Sequence, residues 1–438
     1  MNGNGSIFLD FQLPTAATWF YFSGLLAVAL FVKFSRLLSV RNLDVLSLFL
    51  FAPGFLLLLE SHGANRWGYA WLLIASGYFF LRCLGDLALV RRPALAPNMN
   101  LSGMACLAAA LSASLVAVAV QQPRAPPDAG QAAASPIDEM LVKTLPQTPG
   151  EVAGFTIPIG TARALALLCH LSVAVGLALI GWKHFGDVHA GMAMATFYLL
   201  LPYTYMLTPN SALGLGRWDM VWPMAWMVWA VFCYRRPVLA GAFLGVAAGG
   251  VLLPLLTLPV WLSFYRKRGA GRFFLCFVLL GGLTLALAAG VLWIGSLTQT
   301  WNSADALQRW QAWLPPPDDA HGVWQGVYWV YRLPVFIAYA AFVIGTLFWP
   351  MPKNLANVVA LSAAVLIGIQ FWCADNGGVY VLWYLPFLLL LVFRPNLTAA
   401  QPPPPREDWI KRISWRLMRL FVRLFRRRKA ARSASGAA

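Results

Sequence analysis

The sequence predicts an all-α polytopic membrane protein, with about eleven full transmembrane spans and one broken, re-entrant hairpin, about 13 helices in all. Three observations predict it. Of the 438 residues, 60% are hydrophobic and only 11% charged, a balance foreign to a soluble domain of this length. Apolar runs of span length recur along the chain, near 17–37, 43–60, 68–89, 101–121, 161–182, 189–207, 218–234, 273–296, 327–350, 355–373 and 378–394. Lysines and arginines gather at alternate ends of these runs.

The opening "MNGNGSIFLDFQLP" lacks the basic region of a cleavable signal peptide, so the first apolar run is expected to stay as a helix. Lys33, Arg36 and Arg41 follow the first span, Arg82, Arg91 and Arg92 end the third, Lys183 follows the fifth, and Arg235 and Arg236 follow the seventh. The positive-inside rule makes these ends cytoplasmic and puts the N-terminus outside. The formal charge of +17 is then mainly a topology signal, and no nucleic-acid partner is expected. Cys83, Cys106, Cys169, Cys233, Cys276 and Cys373 fall inside apolar runs without CxxC spacing and read as small packing residues.

The stretch "RRPVLAGAFLGVAAGGVLLPLLTLPVWLSFYRKRG" (235–269) is basic at both ends and apolar between. Arg266, Lys267, Arg268 and Arg272 require its far end to be cytoplasmic too, so it must enter and return as two short helices broken near Gly249, Gly250 and Pro254. The competing reading is one long helix with a local failure of the charge rule. Broken backbone at membrane depth is tolerated where protein buries it or where it lines a cavity, so the hairpin points to a site.

After the last span and "QPPPP", Arg412, Arg416, Arg419, Arg423 and Arg426 recur every three or four residues, offset from Ile410, Ile413, Leu417, Leu420 and Leu424. This predicts a basic amphipathic helix on the anionic cytoplasmic leaflet, with membrane lipids as its partner, and an unfolded "SASGAA" beyond it. Three parts result: N-terminal spans over 1–100, a main module over 101–396, and a linker and tail over 397–438.

Two outer loops are long enough for chemistry. In 122–160, Asp138 and Glu139 form a carboxylate pair of the kind a general base needs, one taking a proton while its neighbour orients an acceptor or holds a cation. A divalent cation is compatible with that pair, and no cofactor or bound metal is required. In 297–326, Trp301, Trp310, Trp313 and Trp324 alternate with Asp305, Arg309, Asp318, Asp319 and His321. Such indoles form the aromatic belt of many membrane proteins, and they equally suit stacking on a sugar ring whose hydroxyls bind carboxylates. Nearer the spans, Arg217 and Asp219 flank Trp218, Arg332 is expected about one turn inside the 327–350 span, and Asp375 closes the 355–373 span. Arg332 near the outer boundary either snorkels to headgroups or grips a phosphate through its planar fork.

The order "FYLLLPYTYMLTPNSALGLGRWDMVWPMAWMVWAVFCYRRPVLAGAFLGVAAGGVLLPLLTLPVWLSFYRKRG", followed by "VYVLWYLPFLLLLVFRP", resembles polyprenol-phosphate-sugar-dependent membrane glycosyltransferases of the GT-C superfamily, most of all the bacterial family 87, mannosyltransferase-like type. The likeness covers about residues 161–396. It implies a hexosyltransferase of the bacterial plasma membrane with a polyprenyl-phosphate sugar donor and an acidic residue in the first large outer loop as base, a place that Asp138 and Glu139 fill, with Asp128 and Glu151 as outsiders. It implies donor-phosphate binding by Arg332 or Arg217, and leaves Asp219, Asp305, Trp310, Trp313, Asp319, His321 and Asp375 for sugar or acceptor. The chain departs from the pattern in three spans ahead of 101–121 and in "CADNGGVYVLWY", which has no histidine before its tryptophan–tyrosine pair. A transporter or flippase, or a non-catalytic scaffold, is the alternative.

Overall fold

The computed structural model describes residues 15–61, 65–88, 95–121, 151–152, 155–156, 159–207, 213–214, 218–297, 322–373, 377–404 and 419. Helix α1 (Ala16–Phe31) begins where the Thr15 hydroxyl accepts the Thr18 amide at 3.3 Å. Helices α2 (Val40–Ser47) and α3 (Ala52–Glu60) form one bent apolar stretch of 21 residues. The bend has a cause in Pro53, which lacks an N–H and whose ring crowds the carbonyl four residues back. Asn65 caps α4 (Arg66–Asp86), accepting the Trp67 amide at 2.9 Å, and Asn100 does the same for α5 (Leu101–Gln121) through Gly103.

Helix α6 (Ile159–Ile180) runs into a π turn at Gly181–Phe185 and stops at Gly186, whose φ of 70° favours glycine. Asp187 then caps α7 (Val188–Leu200). Two-residue antiparallel pairings, Glu151–Val152 with Phe155–Thr156 and Met206–Leu207 with Leu213–Gly214, are the extended structure among the described residues. Helices α8 (Trp218–Phe232), α9 (Pro237–Gly250), α10 (Leu258–Phe264), α11 (Ala270–Leu297), α12 (Leu333–Gly345), α13 (Leu355–Trp372) and α14 (Leu385–Phe393) follow.

Five stretches are long and apolar enough to cross a membrane: Val40–Glu60, Leu101–Val120, Arg163–Phe185, Ala270–Leu287 and Leu355–Trp372. Six more apolar helical stretches have 10–17 residues. Helices α13 and α14 lie at the centre, sheathed by protein, whereas α11 shows Leu275, Leu279, Leu283 and Leu287 to the outside at every fourth residue. An apolar stripe of that length is untenable in water and ordinary against lipid, and the fold is that of a multi-pass helical membrane protein.

The basic ends of the helices meet. The Asn98 amide donates to the carbonyls of Ala29 and Val32, each at 2.9 Å, the Tyr265 hydroxyl to the Tyr234 carbonyl at 2.6 Å, and Arg268 to the Pro402 carbonyl at 2.5 Å. Both ends of 235–269 therefore sit at one end of the bundle. Helix α9 has 14 residues, about 21 Å, against a hydrocarbon core of about 30 Å. It stops at Gly250, a 3-10 turn covers Leu253–Thr257, and α10 returns. Along the next helix, Gly241 lies against Phe273, Gly245 against Phe277 and Gly281, and Gly249 against Gly281 and Thr284, so α9 and α11 run parallel, as they must if the chain has come back to its starting side. The predicted break near Gly249, Gly250 and Pro254 is where the helix breaks. Cysteines placed at Arg235 and Lys267, with the six native cysteines replaced, are expected to react with an impermeant maleimide from the same side of the membrane. Reaction from opposite sides would contradict the returning hairpin.

Candidate functional site

At the end away from the arginine clusters, the hairpin tip, α12 and the end of α13 enclose an apolar cleft of about 360 Å³. Leu252, Leu253, Leu255 and Leu256 of the tip form one wall, and Phe336, Tyr339 and Val343 of α12 form the other. Trp372 closes the cleft, its ring edge-on to Phe336 with centroids 5.0 Å apart. Gly368 makes room for Tyr339: a Cβ there would sit 2.7 Å from the phenol ring, whose hydroxyl donates to the Val365 carbonyl at 3.0 Å. Ile344 and Leu255, which also line the cleft, are exposed on the apolar outer surface, so the cleft opens sideways, where lipid would be.

Arg332 ends the 3-10 turn that precedes Phe336 by four residues. It is 3% exposed. As expected, it lies about one turn inside the apolar helical stretch Trp329–Gly345, at the end of a 3-10 turn (Trp329–Arg332) that runs into α12, with Pro334 in the first turn of that helix. An apolar, laterally open cleft suits a ligand with a long apolar tail.

Neighbouring elements brace this end. The Trp324 indole N–H donates to the Phe371 carbonyl at 3.0 Å, so this tryptophan of the aromatic loop is held by backbone. Arg66 donates to the Gln325 carbonyl. The Gly377–Gly378 turn returns the chain onto Gln370, with the Gly378 amide donating to Gln370 Oε1 at 2.8 Å. A Cβ on Gly377 would fall 2.2 Å from the Gln370 carbonyl oxygen, and Gly378 has a φ of 102°, so both positions demand glycine. Trp222, one turn beyond Asp219, packs on the hairpin tip, where a Cβ on Gly250 would meet its indole nitrogen at 2.7 Å.

Of the residues singled out in the sequence, Arg332 is buried one turn before the lining residue Phe336 and is not itself among the residues that line the cleft. Asp219 lies in the first turn of α8, whose third turn faces the hairpin, and its side chain is outside the description. Asp138, Glu139, Arg217, Asp305, Trp310, Trp313, Asp319, His321 and Asp375 lie outside the described residues, as does the basic tail apart from Arg419. Among the described residues no group of three or more His, Cys, Asp or Glu is arranged to hold a metal.

A chain of buried charges at the opposite end escaped the sequence reading. Arg82 forks onto Asp44, with Nε to Oδ1 at 2.8 Å and Nη2 to Oδ2 at 2.9 Å, and reaches Asp86 at 3.2 Å through Nη1. Asp86 also receives Arg394 at 2.6 and 2.8 Å. Arg82 and Asp86 stand four apart on one helix, a spacing visible in the sequence, but Asp44 and Arg394 come from distant segments.

No family model, no curated protein and no solved structure matches the chain.

Proposed function

We propose that the protein is a membrane glycosyltransferase of the GT-C kind, moving a hexose from a polyprenyl-phosphate donor to an acceptor on the outer face of a bacterial plasma membrane. The observation that carries this reading is the apolar, laterally open cleft at the hairpin break, a shape suited to an isoprenoid chain, with the buried Arg332 one turn of chain before its lining residue Phe336. The donor enters sideways from the outer leaflet. Arg332, with Arg217, binds the phosphate and stabilises negative charge as the sugar leaves. Asp138 or Glu139 takes the proton of the acceptor hydroxyl, a contribution of roughly 10²–10⁴-fold in rate. Asp219, Asp305, Trp310, Trp313, Asp319, His321 and Asp375 are the residues proposed to hold the sugar and acceptor.

The test is sugar transfer by the purified protein in lipid, with a labelled synthetic polyprenyl-phosphate hexose as donor. Transfer is expected. Arg332→Ala is expected to raise KM for the donor roughly 10- to 100-fold, since charge-assisted bonds contribute about 1.5–3 kcal/mol, and Arg332→Lys should recover part of the loss. Asp138→Asn or Glu139→Gln should abolish turnover with donor binding retained. Absence of both transfer and donor binding would overturn the proposal in favour of a scaffold, and vesicle uptake without transfer would favour a transporter.

A further inference from the structure

A second cavity lies toward the basic end, about one turn beyond Val343 and Ile344 of the cleft wall. The exit of the hairpin, the start of α11 and the turn after α12 enclose about 310 Å³ between Leu262, Ser263, Arg266, Ala270, Leu347 and Phe348. Behind Ser263 stands Lys353, only 3% exposed. Its Nζ donates to Ser263 Oγ at 2.6 Å and to the Pro350 carbonyl at 3.1 Å. Both partners are neutral, and among the described residues no carboxylate pairs with this ammonium. A cation taken out of water without a counter-charge is costly, and burial draws Lys353 down to about 8.

Ser263 passes that charge forward. Because its oxygen accepts from the ammonium, its own proton must point elsewhere, and the acceptor it has is the Met351 sulfur at 3.8 Å, a weak one. A hydroxyl polarised by an adjacent ammonium is a strong donor to an oxyanion. Arg266, exposed on the same cavity, adds a planar fork that matches phosphate geometry. Lys267 follows it, and Phe348 and Trp349, both exposed, continue the apolar wall outward.

We propose that this cavity binds a phosphate group, that of an anionic phospholipid in the leaflet at the basic end, with Ser263 and Arg266 on its oxygens, Lys353 as the buried counter-charge, and Leu347 and Phe348 against the acyl chains. The lipid source is favoured over a soluble phosphate by those apolar walls. The proposal does not depend on the glycosyltransferase reading.

The experiment uses the full-length protein in nanodiscs of phosphatidylcholine, alone or doped with phosphatidic acid, with thermal unfolding and lipid retention in native mass spectrometry as readouts. Phosphatidic acid is expected to raise the melting temperature and to be retained. Arg266→Ala and Ser263→Ala are each expected to weaken retention roughly tenfold or more. Lys353→Met is expected to remove the response altogether. Arg266 is exposed, so its variant keeps the test decisive even where a substitution at Ser263 or Lys353 prevents folding. Equal retention by wild type and Arg266→Ala would overturn the proposal. A matching shift from inorganic phosphate in neutral nanodiscs would overturn the assignment to lipid.

Discussion

Replacing Arg82 with methionine is expected to destabilise the protein by about 3–5 kcal/mol, the usual cost of breaking a buried charge pair by removing one partner. Four charges alternate in sign along the chain Asp44, Arg82, Asp86, Arg394, so their sum is zero. The side chains of Asp86 and Arg394 are 1% and 4% exposed, and those of Asp44 and Arg82 are 9% and 13% exposed, so water offers little compensation. Without Arg82, Asp44 loses a bidentate partner and Asp86 loses one guanidinium while keeping that of Arg394. The chain also joins α2 and α4 to the residue that follows α14, fastening early helices to the last one. Thermal unfolding in detergent should therefore show a large drop for Arg82→Met and an intermediate one for Arg82→Lys, which keeps the charge and loses the fork. Arg235→Met, at an exposed position, should leave the melting temperature close to that of wild type. If Arg82→Met melts with Arg235→Met, the four charges do not hold the basic end together.

What the sequence made legible follows from which forces are local. The returning hairpin was readable because arginines mark both of its ends and glycines and a proline mark its middle, and each of these acts on the chain within a few residues. The start of α12 was readable in principle as well: Pro334 fits the first turn of an α-helix, and the apolar run from 327 matches the helical stretch Trp329–Gly345, whose opening turn is 3-10. Pro386 does the same for α14, which begins at Leu385 although the apolar run begins at 378. The pairing of Asp86 with Arg394 was not readable, because a contact 308 residues apart leaves no periodic trace. Lys353 was hidden for the same reason, its partner Ser263 lying 90 residues away on another turn. Of the candidate site, the guanidinium of Arg332 was legible as a costly charge near a span end. The cleft was not, because its walls are leucines and aromatics that look like any other core.

Enlarging Gly245 is expected to split the hairpin from its neighbour. The sequence "GAFLGVAAG" places Gly241, Gly245 and Gly249 at every fourth residue, one face of α9, and that spacing lets helix backbones approach closely in a membrane. The approach is tight. A Cβ would fall 2.2 Å from the Phe273 carbonyl oxygen at Gly241, 2.5 Å from that of Phe277 at Gly245, and 2.6 Å from that of Gly281 at Gly249. All three obstacles are backbone of α11, which no side-chain rotation can clear, so the helices must separate along the whole seam. Forcing extra volume into such a contact costs about 1–3 kcal/mol and more for a larger side chain. Gly245→Ala should thus lower the melting temperature, and Gly245→Leu should lower it further and disturb the hairpin tip that walls the cleft. Helix propensity acts in the other direction, favouring alanine over glycine by about 1 kcal/mol, so a destabilising result for Gly245→Ala would mean that packing overcomes propensity. Gly282 supplies the matched control: it is exposed on α11, a Cβ there meets nothing within 4 Å, and Gly282→Ala is expected to be neutral or slightly stabilising. The ordering Gly282→Ala, wild type, Gly245→Ala, Gly245→Leu in falling stability is the expected outcome of thermal unfolding in detergent. If Gly245→Leu melts as high as Gly282→Ala, α9 does not rest on α11, and the parallel packing that fixes the hairpin is wrong.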